Sequence, residues 1–148
     1  MNETTKELLR IVSDFDGSFH GAYNIRVDGT CAGRQSSEHI KIYTKEDAPG
    51  LVIRVDPNTK GERVSIPACV THGNVDDLVY NDFFIGENAD VVIVAGCGIH
   101  NCGNQKSQHD GIHTFYIGKN AKVKYVEKHY GEGDGTGENV LNPVTVCH

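Results

Sequence analysis

The stretches "FFIGENADVVIVAG" (residues 83–96) and "FYIGKNAKVKYVEK" (residues 115–128) are two copies of one unit, 32 residues apart. Seven of the fourteen aligned positions are identical: Phe83/Phe115, Ile85/Ile117, Gly86/Gly118, Asn88/Asn120, Ala89/Ala121, Val91/Val123 and Val94/Val126. Each copy consists of a strand pattern, a tight turn at Gly-x-Asn-Ala and a second strand pattern. An internal repeat of this length in a strand-rich chain predicts a repeat architecture.

Two all-β folds are compatible with the repeat, a β-solenoid of stacked coils and a sandwich of hairpins. In a solenoid, identical residues at one offset stack about 4.8 Å apart, which places Phe on Phe and Asn on Asn. A sandwich gives no reason to repeat the turn together with both flanking strands. We therefore expect a parallel β-helix. Residues 43–55 could be a weaker earlier copy, since Glu46-Asp47-Ala48 resembles Glu87-Asn88-Ala89.

The repeat also predicts which side chains stack between coils. At an offset of 32, Cys97 aligns with His129, and Ala95 aligns with Glu127. Strand alternation directs the lysines at 122 and 124 outward, so Glu127 and His129 share the inward parity of Val123. We expect Cys97, Glu127 and His129 to form one polar cluster at the edge of the core. A β-bulge that resets the alternation is the alternative, and it would place them in water.

The first twenty residues differ from the rest of the chain. The segment Thr4 to Phe15 has apolar residues at helical spacing, and Thr4 and Thr5 are candidate N-caps. The predicted organisation is a helical segment over residues 1–20, followed by a β-helix domain over residues 21–148.

Composition excludes several classes of partner. The chain has 148 residues and a formal net charge of −6, and no basic face for nucleic acid is visible. The longest apolar run, "VVIVA" (residues 91–95), is too short to cross a membrane, and the N-terminus has no signal-peptide core. We therefore expect a cytoplasmic protein. Its five cysteines, an odd number, are then expected to be thiols or ligands rather than disulfides.

The stretch "AGCGIHNCGNQKSQHDGIH" (residues 95–113) collects cysteine and histidine. Its candidate ligands for zinc or iron are Cys97, His100, Cys102, His109 and His113. Their spacing matches no named zinc pattern, so a loop of hydrogen-bonded histidines is the more economical interpretation. Cys102 and His109 fall in the predicted connection between two coils. Cys97 would be a reactive thiol if His100 or His129 lay close enough to lower its pKa.

Several segments resemble the SufB/SufD family of iron–sulfur cluster assembly scaffolds, in its short single-gene form. The most specific are "GCGIH" (residues 96–100), "HDGIH" (residues 109–113) and "EKHYGEG" (residues 127–133). The resemblance extends from about Gly21 to Thr145 and covers only the N-terminal portion of a family member. Both a piece of a longer protein and a short variant fit this coverage.

The resemblance implies a right-handed parallel β-helix that acts as a non-catalytic scaffold. It implies an ABC-type ATPase and a cysteine desulfurase as partners, and iron or an iron–sulfur cluster as the material handled. Cys97 matches a cysteine for which a sulfur-transfer role is proposed in the SufB branch. The family's C-terminal helices and cluster-related residues have no counterpart here. Because no Gly-x4-Gly-Lys-Ser/Thr loop is present, ATP hydrolysis is expected in the partner.

Two other functions remain open from the sequence. One is a purely structural β-helix that associates with itself, since an uncapped coil exposes unpaired strand edges. The other is a metalloenzyme on a cupin-type β-barrel, a class that typically needs a His-x-His pair. His109 and His113 are four residues apart, and no His-x-His occurs in the chain.

Overall fold

The computed structural model describes residues 1–148, with one helix and eleven strands. In chain order these elements are α1 (Glu3–Ser13), β1 (Ala22–Val27), β2 (Thr30–Gln35), β3 (Ile40–Thr44), β4 (Gly50–Val55), β5 (Lys60–Ser65), β6 (Ala68–Val70), β7 (Val75–Ile85), β8 (Asp90–His100), β9 (Ser107–Ile117), β10 (Lys122–Glu132) and β11 (Asn139–Cys147).

The strands form two sheets, and from β7 onward the chain alternates between them. The first sheet has the order β10-β8-β5-β1-β2, with β6 beside β1 and β8, and the second has the order β11-β9-β7-β4-β3. The pairs β7–β9, β9–β11 and β8–β10 are parallel, with partners 32 residues apart. Antiparallel pairing is confined to β1–β2 and β3–β4. The prediction of a parallel β-helix is confirmed, with about three turns, and the sandwich of hairpins is not the fold.

Side-chain ladders run across the coils as the repeat predicts. Phe83 and Phe115 stack in the core with ring centroids 4.5 Å apart. Outside the core, Phe84 and Tyr116 stack with centroids 4.8 Å apart. Parallel register brings equivalent positions to the spacing of adjacent strands, so the aromatic residues meet face to face.

The turn that ends each coil is built on a left-handed asparagine. Asn88 and Asn120 have φ values of 61° and 59°, and Asn58 has the same conformation with φ 63°. Asparagine tolerates this region better than other non-glycine residues. The earlier copy is therefore "GLVIRVDPN" (residues 50–58), in which Gly50 pairs with Tyr80. Aligning Glu46-Asp47-Ala48 with the later turn was wrong, because those residues lie in the tight β3–β4 connection instead.

Helix α1 begins two or three residues earlier than its threonine N-cap candidates predict. Asn2 is the N-cap, and its side chain accepts a hydrogen bond of 2.8 Å from the backbone N–H of Thr5. The predicted threonine caps are therefore wrong. The helix ends at Ser13, where Asp14 turns the chain with φ 56°. This helix is neither long enough nor apolar enough to cross a membrane.

Helix α1 covers the outer face of the first sheet, where two glycines of β8 allow close approach. A Cβ atom on Gly96 would lie 2.2 Å from the carbonyl oxygen of Val12, and one on Gly98 would lie 3.1 Å from Leu8. Cys97, between these glycines, has the opposite parity and lines an interior cavity. The Gly-Cys-Gly run thus seats a helix on one side of the sheet and a thiol on the other.

Candidate functional site

Cys97 lies where the repeat predicts, inside the β-helix near the end of β8. On β10, His129 is its register partner, and Glu127 is the partner of Ala95. Cys97 is buried, whereas the side chains of Glu127 and His129 are 21% and 29% exposed. The predicted cluster therefore spans the boundary between the interior and solvent.

Two interior spaces meet at Cys97. A cavity of about 340 Å³ extends from Cys97 toward β1, β2 and the β3–β4 connection, and a gap of about 10 Å³ lies on the side of Glu127 and His129. Four residues line both spaces: Ala95, Cys97, His109 and His113. The thiol therefore borders a space large enough for a small ligand on one side and the polar cluster on the other.

A chain of hydrogen bonds leads from Asn81 to the cluster. The Asn81 Nδ2 lies 3.4 Å from His113 Nε2, and its Oδ1 accepts the backbone N–H of Leu51 at 3.0 Å. The Leu51 bond makes Asn81 Nδ2 the donor toward His113. Neutral imidazole has one donor and one acceptor, so Nε2 accepts and Nδ1 carries the proton.

Tyr125 continues the chain to the carboxylate. His113 Nδ1–H donates to the Tyr125 hydroxyl, which donates to Glu127 Oε1. The other carboxylate oxygen, Glu127 Oε2, lies 3.2 Å from His129 Nε2. All donors in this chain point toward Glu127, so its negative charge is satisfied from both sides.

Burial sets the protonation states along this chain. It lowers the pKa of His113 from 6.5 to about 4, although the charge of Glu127 acts in the opposite direction. Burial also raises the pKa of Tyr125, and the neighbouring Glu127 carboxylate adds to the effect. At neutral pH, His113 is an uncharged imidazole and Tyr125 is an uncharged phenol.

A second buried polar group lies on the far side of Cys97. Asp77 accepts a hydrogen bond of 3.0 Å from His109 Nδ1 and a two-pronged ion pair from Arg26, whose shortest distance is 2.7 Å. Burial by itself would raise the pKa of Asp77, but the hydrogen bonds from His109 and Arg26 outweigh it and lower this pKa to about 2. Because Nδ1 donates to Asp77, the Nε2 of neutral His109 is an acceptor, and this residue lines the cavity.

Burial determines the protonation state of the Cys97 thiol. Burial, and next the negative charge of Glu127, raise its pKa well above the ordinary value of a cysteine. Burial has the largest effect, because removing the thiol from water costs the anion its hydration, and neither His100 nor His129 is among the causes of the shift. Cys97 is therefore a protonated thiol at neutral pH, and it needs a base or a metal ion to become a thiolate.

The cysteines and histidines of residues 95–113 lie in two separate parts of the structure. His109 and His113 belong to β9 and point into the interior, so placing His109 in a connecting loop was wrong. His100 and Cys102 lie together at the end of β8 and in the loop after it, with 3.0 Å between Nε2 and Sγ. No group of three or more His, Cys, Asp or Glu side chains is arranged to hold a metal ion.

The sequence reasoning missed Asp77, Asn81 and Tyr125. The signal that could have found the first two is the same offset of 32, which pairs Asp77 with His109 and Asn81 with His113. Both also share the inward parity of Phe83 along β7. A polar side chain that faces the core requires a hydrogen-bond partner, and the offset of 32 predicts which residue that partner is.

No protein-family model, no curated protein and no solved structure matches this chain. The interior site offers a buried thiol, a carboxylate held by a phenol and an imidazole, and a second imidazole with an available acceptor nitrogen.

Proposed function

We propose that the protein is a component of a Suf-type iron–sulfur cluster assembly scaffold in the cytoplasm, handling sulfur or iron at Cys97. The observation that carries the proposal is the position of this thiol between a cavity and the Glu127–His129 pair. The resemblance of residues 96–100, 109–113 and 127–133 to the SufB/SufD family supports it. A thiolate is the soft ligand that iron and sulfide chemistry requires.

Sulfur transfer to Cys97 needs a proton acceptor and no external oxidant. The Cys97 sulfur attacks the outer sulfur of a donor persulfide, a new S–S bond forms, and the donor's S–S bond breaks. The thiol proton passes to a base and then to the departing donor thiolate. Glu127, which lies in the same gap and raises the thiol pKa by its charge, and the acceptor nitrogen of His109 are the candidate bases.

The charged side chains that line the larger cavity favour the binding of an anion such as hydrosulfide. Arg26 is neutralised by Asp77, and Lys45 by Asp82. Arg34, on the same cavity, instead contacts only neutral groups, Asn24 Oδ1 at 2.8 Å and Thr44 Oγ1 at 2.9 Å. It therefore leaves a positive charge at the cavity, which favours a negatively charged ligand.

Iron would enter the site by exchange for protons. A thiol and a protonated imidazole must lose their protons to become ligands, so metal binding releases protons and strengthens with pH. The Glu127–His129 hydrogen bond would open to free the two side chains toward Cys97. By the same resemblance, an ABC-type ATPase and a cysteine desulfurase are the proposed partners, and the scaffold itself is non-catalytic.

Anaerobic reconstitution tests this function. The reduced protein is incubated with ferrous iron and sulfide, desalted, and analysed for bound iron and sulfide. Uptake should be lost or strongly reduced in Cys97→Ser and retained in Cys147→Ser, which removes an exposed thiol far along the chain. No uptake by the unmodified protein, or equal uptake by Cys97→Ser, would overturn the proposal.

Self-association is a second proposed property, favoured by the edge strands β10 and β11. β10 and β11 each pair with one neighbour, and Val144 and Val146 on β11 are 49% and 38% exposed. An open edge with exposed apolar residues is a template for strand pairing between copies. Light scattering should show a homo-oligomer at micromolar concentration that Val144→Lys weakens. Leu78→Lys is the matched control, since this exposed leucine lies on β7, two strands away from β11 in the sheet. A monomer throughout that range would contradict this property.

A further inference from the structure

A cysteine, a histidine and a glutamate form a hydrogen-bonded row at the opposite end of β8 from the repeat turn. Cys102 Sγ lies 3.0 Å from His100 Nε2, and His100 Nδ1 lies 3.1 Å from Glu132 Oε1. The contact between His100 and Glu132 follows from the repeat, because an offset of 32 makes these residues register partners on β8 and β10. This row is separate from the interior site at Cys97.

The carboxylate determines the tautomer of the histidine. Ionised Glu132 can only accept hydrogen bonds, so His100 Nδ1 carries the proton that it donates. The Nε2 of the neutral ring is then an acceptor facing the Cys102 thiol. A nucleophile beside a base that a third group orients is the arrangement of activated cysteines and serines.

Glu132 is itself held in place by a phenol. The Tyr130 hydroxyl donates to Glu132 Oε2 at 3.2 Å, so both carboxylate oxygens are engaged. The charge of Glu132 raises the pKa of Tyr130, which therefore remains a proton donor at neutral pH. Tyr130 packs against the cluster beneath α1, which anchors the row to the helix.

A buried asparagine positions the backbone on both sides of Cys102. Asn101 is 2% exposed, its backbone N–H bonds to the Glu132 carbonyl at 3.0 Å, and its Oδ1 accepts the N–H of Gly103 at 3.0 Å. Its Nδ2 donates to the carbonyl of Gln105 at 2.8 Å, which ties down the rest of the loop. Cys102 is thus exposed to solvent but held on an ordered turn.

The other cysteines provide a contrast within the same chain. Cys69 and Cys97 are buried, and burial raises the pKa of each thiol. Cys31 and Cys147 are exposed, as Cys102 is, but neither thiol is hydrogen-bonded to a histidine side chain. Cys102 alone combines solvent access with a hydrogen-bonded histidine.

We propose that Cys102 is a nucleophile toward sulfur–sulfur bonds, with His100 as its general base and Glu132 as the residue that positions His100. The thiol proton moves to His100 Nε2 as Cys102 Sγ attacks one sulfur of a disulfide or persulfide. A new S–S bond to Cys102 forms, the old one breaks, and the departing thiolate takes the proton from His100. The sulfur electrophile is the only other reactant, and the step stands independently of iron–sulfur assembly.

The test uses three full-length double variants, each retaining one exposed thiol. Cys31→Ser with Cys147→Ser retains Cys102, and the two other pairings retain Cys31 or Cys147. Each variant is treated with glutathione disulfide or, separately, with glutathione persulfide, and mass spectrometry follows the mixed disulfide or the added sulfur atom. The Cys102 variant should react about tenfold faster at pH 7 than either control, since an unassisted cysteine is only a few per cent thiolate there.

His100→Gln and Glu132→Gln, placed in the Cys102 background, test the assigned roles. His100→Gln should remove the tenfold advantage and make the rate rise steadily with pH, as for an unassisted thiol. Glu132→Gln should reduce the rate about threefold and shift the rise of the pH–rate profile, a readout that a loss of packing would not move. The charged or titratable groups on the surrounding segments are Glu132, Tyr130, Glu7 of α1, His72, Lys106, Asp134 and Glu138.

The outcomes separate the two sources of sulfur. Reaction with the disulfide alone, the persulfide alone or both supports the nucleophile and identifies its substrate. Equal rates for Cys102, Cys31 and Cys147 would overturn the proposal, and so would an unchanged rate in folded His100→Gln. If His100→Gln fails to fold, the comparison among the three double variants decides, because it leaves His100 and Glu132 intact.

Discussion

Cys97 and His129 lie directly opposite each other on β8 and β10, one coil of the β-helix apart. Two residues earlier on the same strands, Ala95 and Glu127 are also register partners. Since parallel strands keep a constant register, a single offset read from the sequence placed both pairs. The Cys97 thiol is buried inside the β-helix, whereas the side chains of His129 and Glu127 are partly exposed to solvent.

Replacing Gly96 by alanine should destabilise the fold by about 2 kcal/mol, a typical cost of overpacking. The added Cβ would lie 2.2 Å from the Val12 carbonyl oxygen, so α1 or β8 must shift. Chemical denaturation measures the change. Gly33→Ala is the control, because its Cβ would meet Tyr23 at an ordinary 3.7 Å. Equal effects of the two substitutions would contradict the helix position.

Stability should fall as the pH drops from 6.5 to 4, with His113 as a major cause. The folded pKa of about 4 lies below the ordinary 6.5, so acid protonates the unfolded chain first and favours unfolding. The full effect is about 3 kcal/mol, present above pH 6.5 and lost on the way to pH 4. His113→Gln should flatten the stability curve across this interval.

Denaturation at several pH values measures that curve. His20→Gln serves as the control, because His20 is exposed and makes no hydrogen bond within the protein. A curve for His113→Gln as steep as that of the unmodified protein would show that another group is responsible.

Asp77 should stabilise the fold above pH 3.8 and lose this contribution as the pH falls toward 2. Its folded pKa of about 2 lies below the ordinary 3.8, so protonation favours the unfolded chain in that window. The contribution is about 2 kcal/mol. Asp77→Asn should be less stable at pH 7, because Arg26 loses its buried counterion. Denaturation at pH 7 and pH 3 should therefore show a smaller difference between the two proteins at the lower pH.

Tyr125→Phe should destabilise the protein by about 2 kcal/mol. It leaves His113 Nδ1–H and Glu127 Oε1 without the hydroxyl that joins them, and His113 is buried. Tyr43→Phe is the control, since that ring is 50% exposed. Thermal unfolding compares the two, and an equal shift in Tm would argue against the hydrogen-bond chain.

Cys97 should react with iodoacetamide at least about tenfold more slowly than Cys147 at pH 7, because the thiolate is the reacting form. Burial raises the pKa of the Cys97 thiol, whereas Cys147 is exposed. Peptide mapping after timed labelling measures both rates in one sample. Rapid labelling of Cys97 in the folded protein would mean that the interior cavity opens freely to solvent.

The sequence by itself predicted the parallel β-helix, because the stacking of coils explains why a turn and both flanking strands recur together at one offset. It also determined that Cys97 and His129 are register partners and that Glu127 lies on the same face of the sheet, since register and alternation follow from counting residues. Helix α1 was predictable from its spacing, although the cap at Asn2 was not.

Only the tertiary structure decided the chemistry of these groups. The raised pKa of Cys97 follows from burial, and the sequence does not state how much water reaches an inward residue. The contact between His100 and Cys102 depends on the loop after β8, which a hydrogen bond from the Asn101 side chain holds in place. This loop lies outside the repeated unit, so its conformation could not be predicted from the offset. Position along a strand is periodic and can be read from the sequence, whereas solvation and loop geometry arise only when the coils have packed.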